Sequence, residues 1–108
     1  VPPEAMVAFY PGGGCRLAPH VDNSYDERRG GRWNARELTA IVYANPTDWN
    51  TERDGGALVL WPDSAGDQHA DPVKIEPLGG RLVVFFSCTR HEVLPAHRAR
   101  RALQLWIF

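Results

Sequence analysis

The chain has 108 residues, of which 44% are hydrophobic and 23% are charged, and its formal net charge at pH 7 is −1. This length allows one modest hydrophobic core, so we expect residues 1–108 to form one domain. The near-zero charge gives no electrostatic basis for a general nucleic-acid or membrane surface, and no apolar run is long enough for a transmembrane helix. We therefore expect neither a nucleic-acid partner nor a membrane partner.

The predicted elements are almost all strands separated by turns. The first strand ends before the turn sequence Pro11-Gly12-Gly13-Gly14, and an arginine-rich polar stretch at residues 24–36 is expected to be a loop. A further loop surrounds Trp49, and no window shows sustained helical periodicity. The predicted strands lie at residues 6–10, 20–23, 38–45, 57–61, 73–76, 81–86, 91–94 and 102–108. About eight strands at this spacing predict a mainly β fold, namely the two-sheet jelly roll or double-stranded β-helix.

Alternation along the last strand predicts which of its faces lines the interior, because side chains two residues apart share a face of a strand. The set that mixes polar and aromatic groups is expected to point inward: Arg100, Ala102, Gln104 and Trp106. The other set is mostly apolar and is expected to point outward: Arg101, Leu103, Leu105 and Ile107. Since no helix in the sequence is available to cover the outward set, we expect N-terminal helices of a longer protein to cover it.

A possible metal-binding pattern is formed by His20, Asp22 and His91. Residues i and i+2 of a strand project from the same face, so a strand at residues 20–23 presents an imidazole and a carboxylate together. A second imidazole from a distant strand completes a facial set of three ligands. Two histidines and one carboxylate with open positions are typical of non-haem Fe(II) oxygenases, which bind a cosubstrate and O₂ there.

Arg100, nine residues after His91, strengthens this interpretation. A planar guanidinium on the interior face of the last strand has the geometry to bind a dicarboxylate such as 2-oxoglutarate through two parallel hydrogen bonds. The neighbouring Arg98 and Arg101 are expected to be solvated. His69 and His97 lie in polar surroundings and are likewise expected at the surface.

The ordered set of these segments resembles the prolyl 4-hydroxylases of the Fe(II)/2-oxoglutarate dioxygenase superfamily, and most of all those that modify hypoxia-inducible factor. The resemblance covers nearly the whole chain. The segments that carry it include Met6-Val-Ala-Phe-Tyr-Pro-Gly, His20-Val-Asp-Asn, Ile41-Val-Tyr-Ala-Asn, Gly55-Gly-Ala-Leu, His91-Glu-Val-Leu-Pro-Ala and Arg100-Arg-Ala-Leu-Gln-Leu-Trp-Ile-Phe.

The resemblance implies roles for individual residues. His20, Asp22 and His91 match the iron ligands, and Arg100 matches the residue that binds the distal carboxylate of 2-oxoglutarate. Seven further residues match positions that bind or surround this cosubstrate: Tyr10, Thr39, Ile41, Tyr43, Leu58, Val93 and Trp106. The implied activity is hydroxylation of a prolyl residue in a protein or peptide to 4-hydroxyproline, with O₂ as cosubstrate, succinate and CO₂ as products, and ascorbate keeping the iron reduced.

The chain also departs from the family pattern. Leu17 stands where the hypoxia-type enzymes have a tyrosine, and the stretch at residues 24–36 is longer and more basic than theirs. Two alternatives therefore stay open: an Fe(II)/2-oxoglutarate oxygenase with a substrate other than proline, and a non-catalytic cupin-like binding module. Cys15 and Cys88 are expected to be free thiols. Two cysteines and no glycosylation sequon favour the cytoplasm or nucleus over the secretory pathway.

Overall fold

A computed structural model describes residues 4–26, 31–32, 34–62 and 71–108. Within these ranges the chain forms ten strands and one helix of four residues. In chain order they are β1 (Glu4–Tyr10), β2 (Cys15–His20), β3 (Tyr25–Asp26), β4 (Gly31–Arg32), β5 (Leu38–Tyr43), α1 (Thr51–Asp54), β6 (Leu58–Trp61), β7 (Val73–Ile75), β8 (Leu82–Phe86), β9 (Arg90–Ala96) and β10 (Arg100–Ile107).

Eight of these strands form two antiparallel sheets of four strands each. The first sheet has the order β1-β10-β5-β8 and the second has the order β2-β9-β6-β7. Their inner faces share one hydrophobic core, in which Ile41 and Ala102 of the first sheet meet Leu58 and Val93 of the second. This arrangement confirms the predicted two-sheet jelly roll.

Three local expectations were wrong. The strand expected at residues 20–23 instead ends at His20, because β2 occupies Cys15–His20 and the chain turns immediately after it. The stretch expected to be a loop contains the short β3–β4 hairpin, although residues 27–30 and 33 lie outside the described ranges. The loop around Trp49 contains α1, whose first turn is capped by the Asn50 side chain accepting from two backbone N–H groups.

The register of the first sheet confirms the predicted faces of β10. Arg100, Ala102, Gln104 and Trp106 are buried, whereas the alternate residues of β10 are exposed or half-buried. Tyr10, Tyr43, Ile41 and Thr39 pair with these four in turn along the inner face. The inner face of this sheet therefore carries a row of polar and aromatic side chains from Arg100 to Trp106.

The outer face of the same sheet is apolar and open. Leu103 pairs with Val7 on β1 and with Val42 on β5, which pairs with Leu82 on β8, so the register makes one continuous surface. Its most exposed side chains are Val7, Phe9, Leu82, Val84, Phe86, Leu103 and Ile107. The expectation that N-terminal helices cover this face stays a prediction. No helix in the described ranges is long and apolar enough to cross a membrane.

Candidate metal centre

His20, Asp22 and His91 come together at one end of the space between the two sheets. His20 ends β2 and pairs directly with His91 on β9, and Asp22 follows in the turn. Asp22 Oδ1 lies 3.3 Å from His20 Nε2 and 3.6 Å from His91 Nε2. One ligand atom from each residue lies within 4.8 Å of the others, which is the spacing of three ligands around one ion. The structure therefore brings together all three residues predicted from the sequence.

The carboxylate of Asp22 reaches this position from a turn and not from a strand. The backbone N–H groups of Asp22 and Asn23 both donate to the carbonyl oxygen of Ser87, each at 2.9 Å. Ser87 follows β8 and is fully buried. A long-range backbone contact thus fixes Asp22, whereas the strand periodicity used in the sequence analysis does not apply to it.

Both histidine rings are held in the same tautomer. Nδ1 of His20 faces the carbonyl oxygen of Ala18 at 2.9 Å, and Nδ1 of His91 faces that of Thr89 at 2.8 Å. Because a carbonyl oxygen only accepts, each Nδ1 carries the ring proton. In the neutral rings each Nε2 then presents a lone pair towards Asp22, which is the arrangement of metal-ligating histidines.

Protonation at the site follows from burial and from these contacts. Burial lowers the pKa of His91, so this ring favours the neutral form that a metal ion needs. A protonated His20 ring can donate from Nε2 to Asp22, and this hydrogen bond raises the pKa of His20. Burial alone would raise the pKa of Asp22, but hydrogen bonds from His20, Thr39 and Trp106 and the nearby His91 lower it to about 2. The carboxylate is therefore ionised at neutral pH.

The second oxygen of Asp22 is occupied by three donors. Oδ2 accepts from Thr39 Oγ1 at 2.7 Å, from Trp106 Nε1 at 3.1 Å and from Gln104 Nε2 at 3.2 Å. The family resemblance assigned Thr39 and Trp106 to the cosubstrate pocket, and a contact between these two residues and the cosubstrate stays a prediction. In the structure their polar atoms orient Asp22, so that Oδ1 alone is turned towards the two Nε2 atoms.

This donor set fits Fe(II). Two neutral imidazole nitrogens and one carboxylate oxygen face one point, and each ligand is fixed by a hydrogen bond on its far side. Three protein ligands from one side of a six-coordinate ion leave three positions free. The ionised carboxylate and two lone pairs repel one another unless a cation or proton lies between them, which favours an occupied site.

At the other end of the interior, Arg100 forms a buried cationic site. Its side chain is almost inaccessible, with the residue 2% exposed, and its Nε donates to the carbonyl oxygen of Gly56 at 2.8 Å. The guanidinium carbon lies 5.1 Å from the centre of the Tyr10 ring and 5.2 Å from that of Tyr43. Among the described residues no carboxylate forms an ion pair with Arg100, although a buried charge is normally paired.

Tyr43 adds an unsatisfied polar atom to this end. Its hydroxyl is buried and meets no partner in good hydrogen-bond geometry in the described part of the chain, although the Arg100 guanidinium is near enough to interact with it. Burial raises the pKa of Tyr43, against the opposing effect of the Arg100 charge, and so keeps the phenol protonated. Burial likewise raises the pKa of Tyr10. A buried hydroxyl without a well-formed hydrogen bond beside an unpaired guanidinium indicates a site for an anionic ligand.

The apolar residues predicted for this pocket lie in the hydrophobic core between the two sheets. Ile41, Leu58 and Val93 are all buried and belong to the core cluster that also contains Tyr43. Leu58 pairs with Val93 across β6 and β9, and Ile41 faces them from β5. Their contact with a cosubstrate stays a prediction.

Four other charged or titratable residues lie outside the site. His97 and Arg101 are exposed, and Glu92 points away from the side of β9 that carries His91. The expectation for Arg98 was wrong: it forms ion pairs with Asp48 and the buried Asp54, each at 3.3 Å. His69 lies outside the described residues.

Three contributors to the site were missed from the sequence: Ser87, Gln104 and Gly56. The inward register of Gln104 was recognised, but nothing in the sequence indicated its contact with Asp22. Gly56 has a backbone φ of +72°, and a Cβ there would lie 3.0 Å from Arg100 Cδ and 3.3 Å from the Trp49 ring. The sequence analysis named the Gly55-Gly56 pair only within a segment that carries the resemblance, and it did not predict the contact of Gly56 with the guanidinium.

The metal end of the interior opens on the His20 side. The His20 side chain is 34% exposed, compared with 3% for that of His91. Beside it the Arg36 guanidinium stacks on the Trp106 ring at 3.9 Å and pairs with Glu4 at 2.6 Å. Asn23 donates to the carbonyl oxygen of Arg36 at 2.7 Å and thereby ties the 34–36 segment to the turn that carries Asp22.

Comparisons with known proteins agree with this geometry. The sequence model of the 2OG-Fe(II) oxygenase superfamily matches residues 5–108. A hypoxia-inducible factor prolyl hydroxylase from Caenorhabditis elegans is 39% identical over 105 residues, covering 95% of this chain and 13% of that protein. Human Egl nine homolog 1 is 40% identical over 107 residues, covering 97% of this chain and 22% of that protein.

The fold has a close counterpart among solved structures. A prolyl hydroxylase from Trichoplax adhaerens, in complex with a hypoxia inducible factor oxygen degradation domain peptide fragment, superposes with a TM-score of 0.81 at 35% identity. The match covers 100% of this chain and 44% of that one. The chain thus spans less than half the length of each of these three relatives.

Proposed function

This chain belongs to the 2OG-Fe(II) oxygenase superfamily, and we propose that it forms the catalytic core of a prolyl hydroxylase. The proposed reaction uses O₂ and 2-oxoglutarate to hydroxylate a prolyl residue in a protein or peptide, and it gives 4-hydroxyproline, succinate and CO₂. The similarity to prolyl hydroxylases over nearly the whole chain supports this choice of substrate class.

His20, Asp22 and His91 are the proposed iron ligands. Their fixed tautomers and the three donors on Asp22 Oδ2 hold the ligand atoms in place before the ion arrives. When bound, Fe(II) supplies the redox chemistry that couples decarboxylation of 2-oxoglutarate to oxygen insertion. The residues of the chain supply ligand orientation and a site with little water.

Arg100 is the residue that supports 2-oxoglutarate as the cosubstrate. A buried guanidinium without a carboxylate partner lies in the same interior as the three ligands, with apolar core residues between them. Arg100 would hold the distal carboxylate of 2-oxoglutarate through charge-assisted hydrogen bonds, and the Tyr43 hydroxyl would donate to the same group. Tyr10 and the apolar residues Ile41, Leu58 and Val93 would limit the length and width of the ligand.

The substrate would approach from the exposed side of His20. This side borders the Arg36–Trp106 stack, and Leu17 on β2 is 39% exposed. A chain of several residues fits such an open edge better than a small enclosed metabolite would. The choice among proline-containing proteins would depend on this edge, because Arg100 and Tyr43, the proposed cosubstrate contacts, are buried in the interior.

The experiment that tests the proposal is mass spectrometry of a peptide library after incubation of the full-length protein with Fe(II), 2-oxoglutarate and ascorbate. We expect a mass increase of one oxygen atom on proline, with equal release of succinate, and no increase with the His91→Ala variant. Modification confined to lysine, asparagine or a free metabolite would replace the proposal with the broader oxygenase class. Absence of any succinate would favour a non-catalytic cupin-like module.

Two further features, a role for ascorbate and a location in the cell, are proposed together with this activity. Ascorbate would keep the iron reduced between turnovers, which predicts a progressive loss of activity when ascorbate is omitted. We also propose a cytoplasmic or nuclear location, supported by the two free, exposed cysteines Cys15 and Cys88. Imaging of the tagged full-length protein tests this location.

A further inference from the structure

Ser87 makes an unusual number of contacts around the proposed metal site. Its side chain is fully buried, and its backbone carbonyl accepts from the N–H groups of Asp22 and Asn23. Its own N–H donates to the carbonyl oxygen of Glu37 at 2.9 Å. Its Oγ lies 3.0 Å from Oγ1 of Thr39, which in turn donates to Asp22 Oδ2. Ser87 therefore contacts Asp22 through the backbone and, by way of Thr39, through the carboxylate.

The direction of the two hydroxyl hydrogen bonds follows from the acceptor at their end. Thr39 Oγ1 donates to Asp22 Oδ2 at 2.7 Å, so the single proton of the Thr39 hydroxyl is directed at the carboxylate. Thr39 Oγ1 then has only lone pairs to offer to Ser87. The Ser87 hydroxyl must be the donor in that contact, which sets the order Ser87 to Thr39 to Asp22.

Resting on the proposed metal site, we propose that Ser87 is a positioning residue that orients Asp22 as a ligand through the hydroxyl of Thr39. A hydroxyl that receives a hydrogen bond becomes a better donor, so the Ser87 contact strengthens the hold of Thr39 on Oδ2. With Oδ2 held, Oδ1 faces His20 Nε2 and His91 Nε2 and is free for the ion. Partners behind a metal ligand commonly change metal affinity by about 10- to 100-fold when they are removed.

This role makes a prediction that ordinary core packing does not. If Ser87 acts through Thr39, then its hydroxyl matters only while the Thr39 hydroxyl is present. The two residues should behave as one unit in a double-mutant cycle. If each merely fills space in the core, then removing either hydroxyl should lower the thermal stability without a selective loss of metal affinity, and Thr39→Ser should disturb the site as much as Thr39→Val does.

The test is calorimetric titration of the metal-free full-length protein with Mn(II), without 2-oxoglutarate or substrate. The variants are Ser87→Ala, Thr39→Val and the double variant, with Thr39→Ser as the form that keeps the hydroxyl. Cys88→Ala is the matched control, because it removes one heavy atom from the adjacent, exposed and free side chain. Thermal unfolding of each metal-free variant reports any general loss of stability.

We expect Ser87→Ala and Thr39→Val each to raise the Mn(II) dissociation constant by about tenfold. The double variant should stay within about twofold of Thr39→Val, and Thr39→Ser and Cys88→Ala should bind like the wild type. Wild-type affinity in Ser87→Ala, or additive losses in the double variant, would overturn this inference alone. Failure of the wild type to bind Mn(II), with His91→Ala behaving identically, would overturn the proposed metal site and this inference with it.

Discussion

His20 and His91 are paired directly across the β2–β9 ladder, and each ring is anchored to the carbonyl oxygen of the residue two positions earlier. Their ring centres lie 4.2 Å apart. The same local hydrogen bond, from Nδ1 to the carbonyl oxygen two residues earlier, thus sets the tautomer of both rings. The two Nε2 atoms converge on Asp22 because His20 and His91 are direct partners across this ladder, although its register shifts between Leu17 and His20.

Replacing His91 with alanine should abolish iron binding and turnover, because a carboxylate and one imidazole seldom retain Fe(II). Iron per chain, measured by atomic emission after anaerobic loading, checks this. His97→Ala is the matched control, since His97 is an exposed histidine on the loop that follows β9. Full iron content with normal turnover in His91→Ala would rule out the assigned ligand set.

Arg100→Lys keeps the charge but loses the planar fork that binds a carboxylate through two hydrogen bonds. We expect the KM for 2-oxoglutarate to rise about tenfold or more, equivalent to about 1.4 kcal/mol, with iron content unchanged. Arg101→Lys serves as the control. Arg101 is the next residue along β10, and its side chain points out of the barrel over the Phe9 ring. An unchanged KM in Arg100→Lys would move the carboxylate site elsewhere.

Gly56→Ala should also weaken 2-oxoglutarate binding, although residue 56 is not expected to touch the ligand. The added Cβ would meet Arg100 Cδ and the Trp49 ring, so the guanidinium must shift away from the Gly56 carbonyl oxygen. Gly13→Ala is a close control, because the φ of Gly13 is +70° and that of Gly56 is +72°, so the backbone strain should be similar. A Cβ at Gly13 would meet no atom within 4 Å. The KM for 2-oxoglutarate should rise for Gly56→Ala and stay unchanged for Gly13→Ala.

The sequence predicted the architecture and the metal ligands because both depend on short-range patterns. Alternation along β10 is a local property, and it correctly assigned Arg100 and Trp106 to the interior. The pair His20 and Asp22 was recognised by spacing, although the reasoning assumed a strand where the structure has a turn. The correct residues were found because the turn also brings both side chains to one side.

What the sequence did not predict depends on contacts between distant residues. Nothing near Ser87 indicates that its carbonyl accepts from the Asp22 turn, 65 positions earlier in the chain. The ion pair of Arg98 with Asp54 joins residues 44 positions apart, so composition alone suggested a solvated arginine. Such pairs are set by the register of strands that come together only in the folded chain.

The same Asp54 should make stability depend on pH in the acid range. A hydrogen bond from Arg53, one from the Asn50 backbone N–H and the contact with Arg98 hold the pKa of Asp54 well below its usual value. A lowered folded-state pKa stabilises the fold above the unfolded pKa of about 3.9, and that stabilisation is lost as the pH falls further.

We therefore expect Asp54→Asn to be less stable than the wild type at neutral pH, with the difference shrinking below about pH 4. Thermal unfolding of the metal-free proteins over a pH series measures it. Asp48→Asn removes an exposed carboxylate that faces the same Arg98 and is the control. A gap between Asp54→Asn and the wild type that is constant down to the lowest pH would show that the charge of Asp54 does not contribute.

The apolar outer face of the β1-β10-β5-β8 sheet predicts that residues 1–108 associate when produced alone. Phe86, Leu82 and Val7 are 67%, 60% and 79% exposed, and the register joins their strands into one surface. An open apolar surface of this extent drives association, since burying it releases about 25 cal/mol per Å². Sedimentation velocity should show oligomers that grow with concentration.

Replacing Val7 and Phe86 with serine should reduce this association without changing iron binding, because both side chains point away from the site. Val73→Ser is the control, since Val73 is a similarly apolar, 46% exposed residue on the other sheet. If the outer face causes the association, the double serine variant shifts towards the monomer and Val73→Ser does not. A monodisperse wild-type 1–108 segment at every concentration would show that this face needs no cover, and the expectation of covering helices would then lose its physical basis.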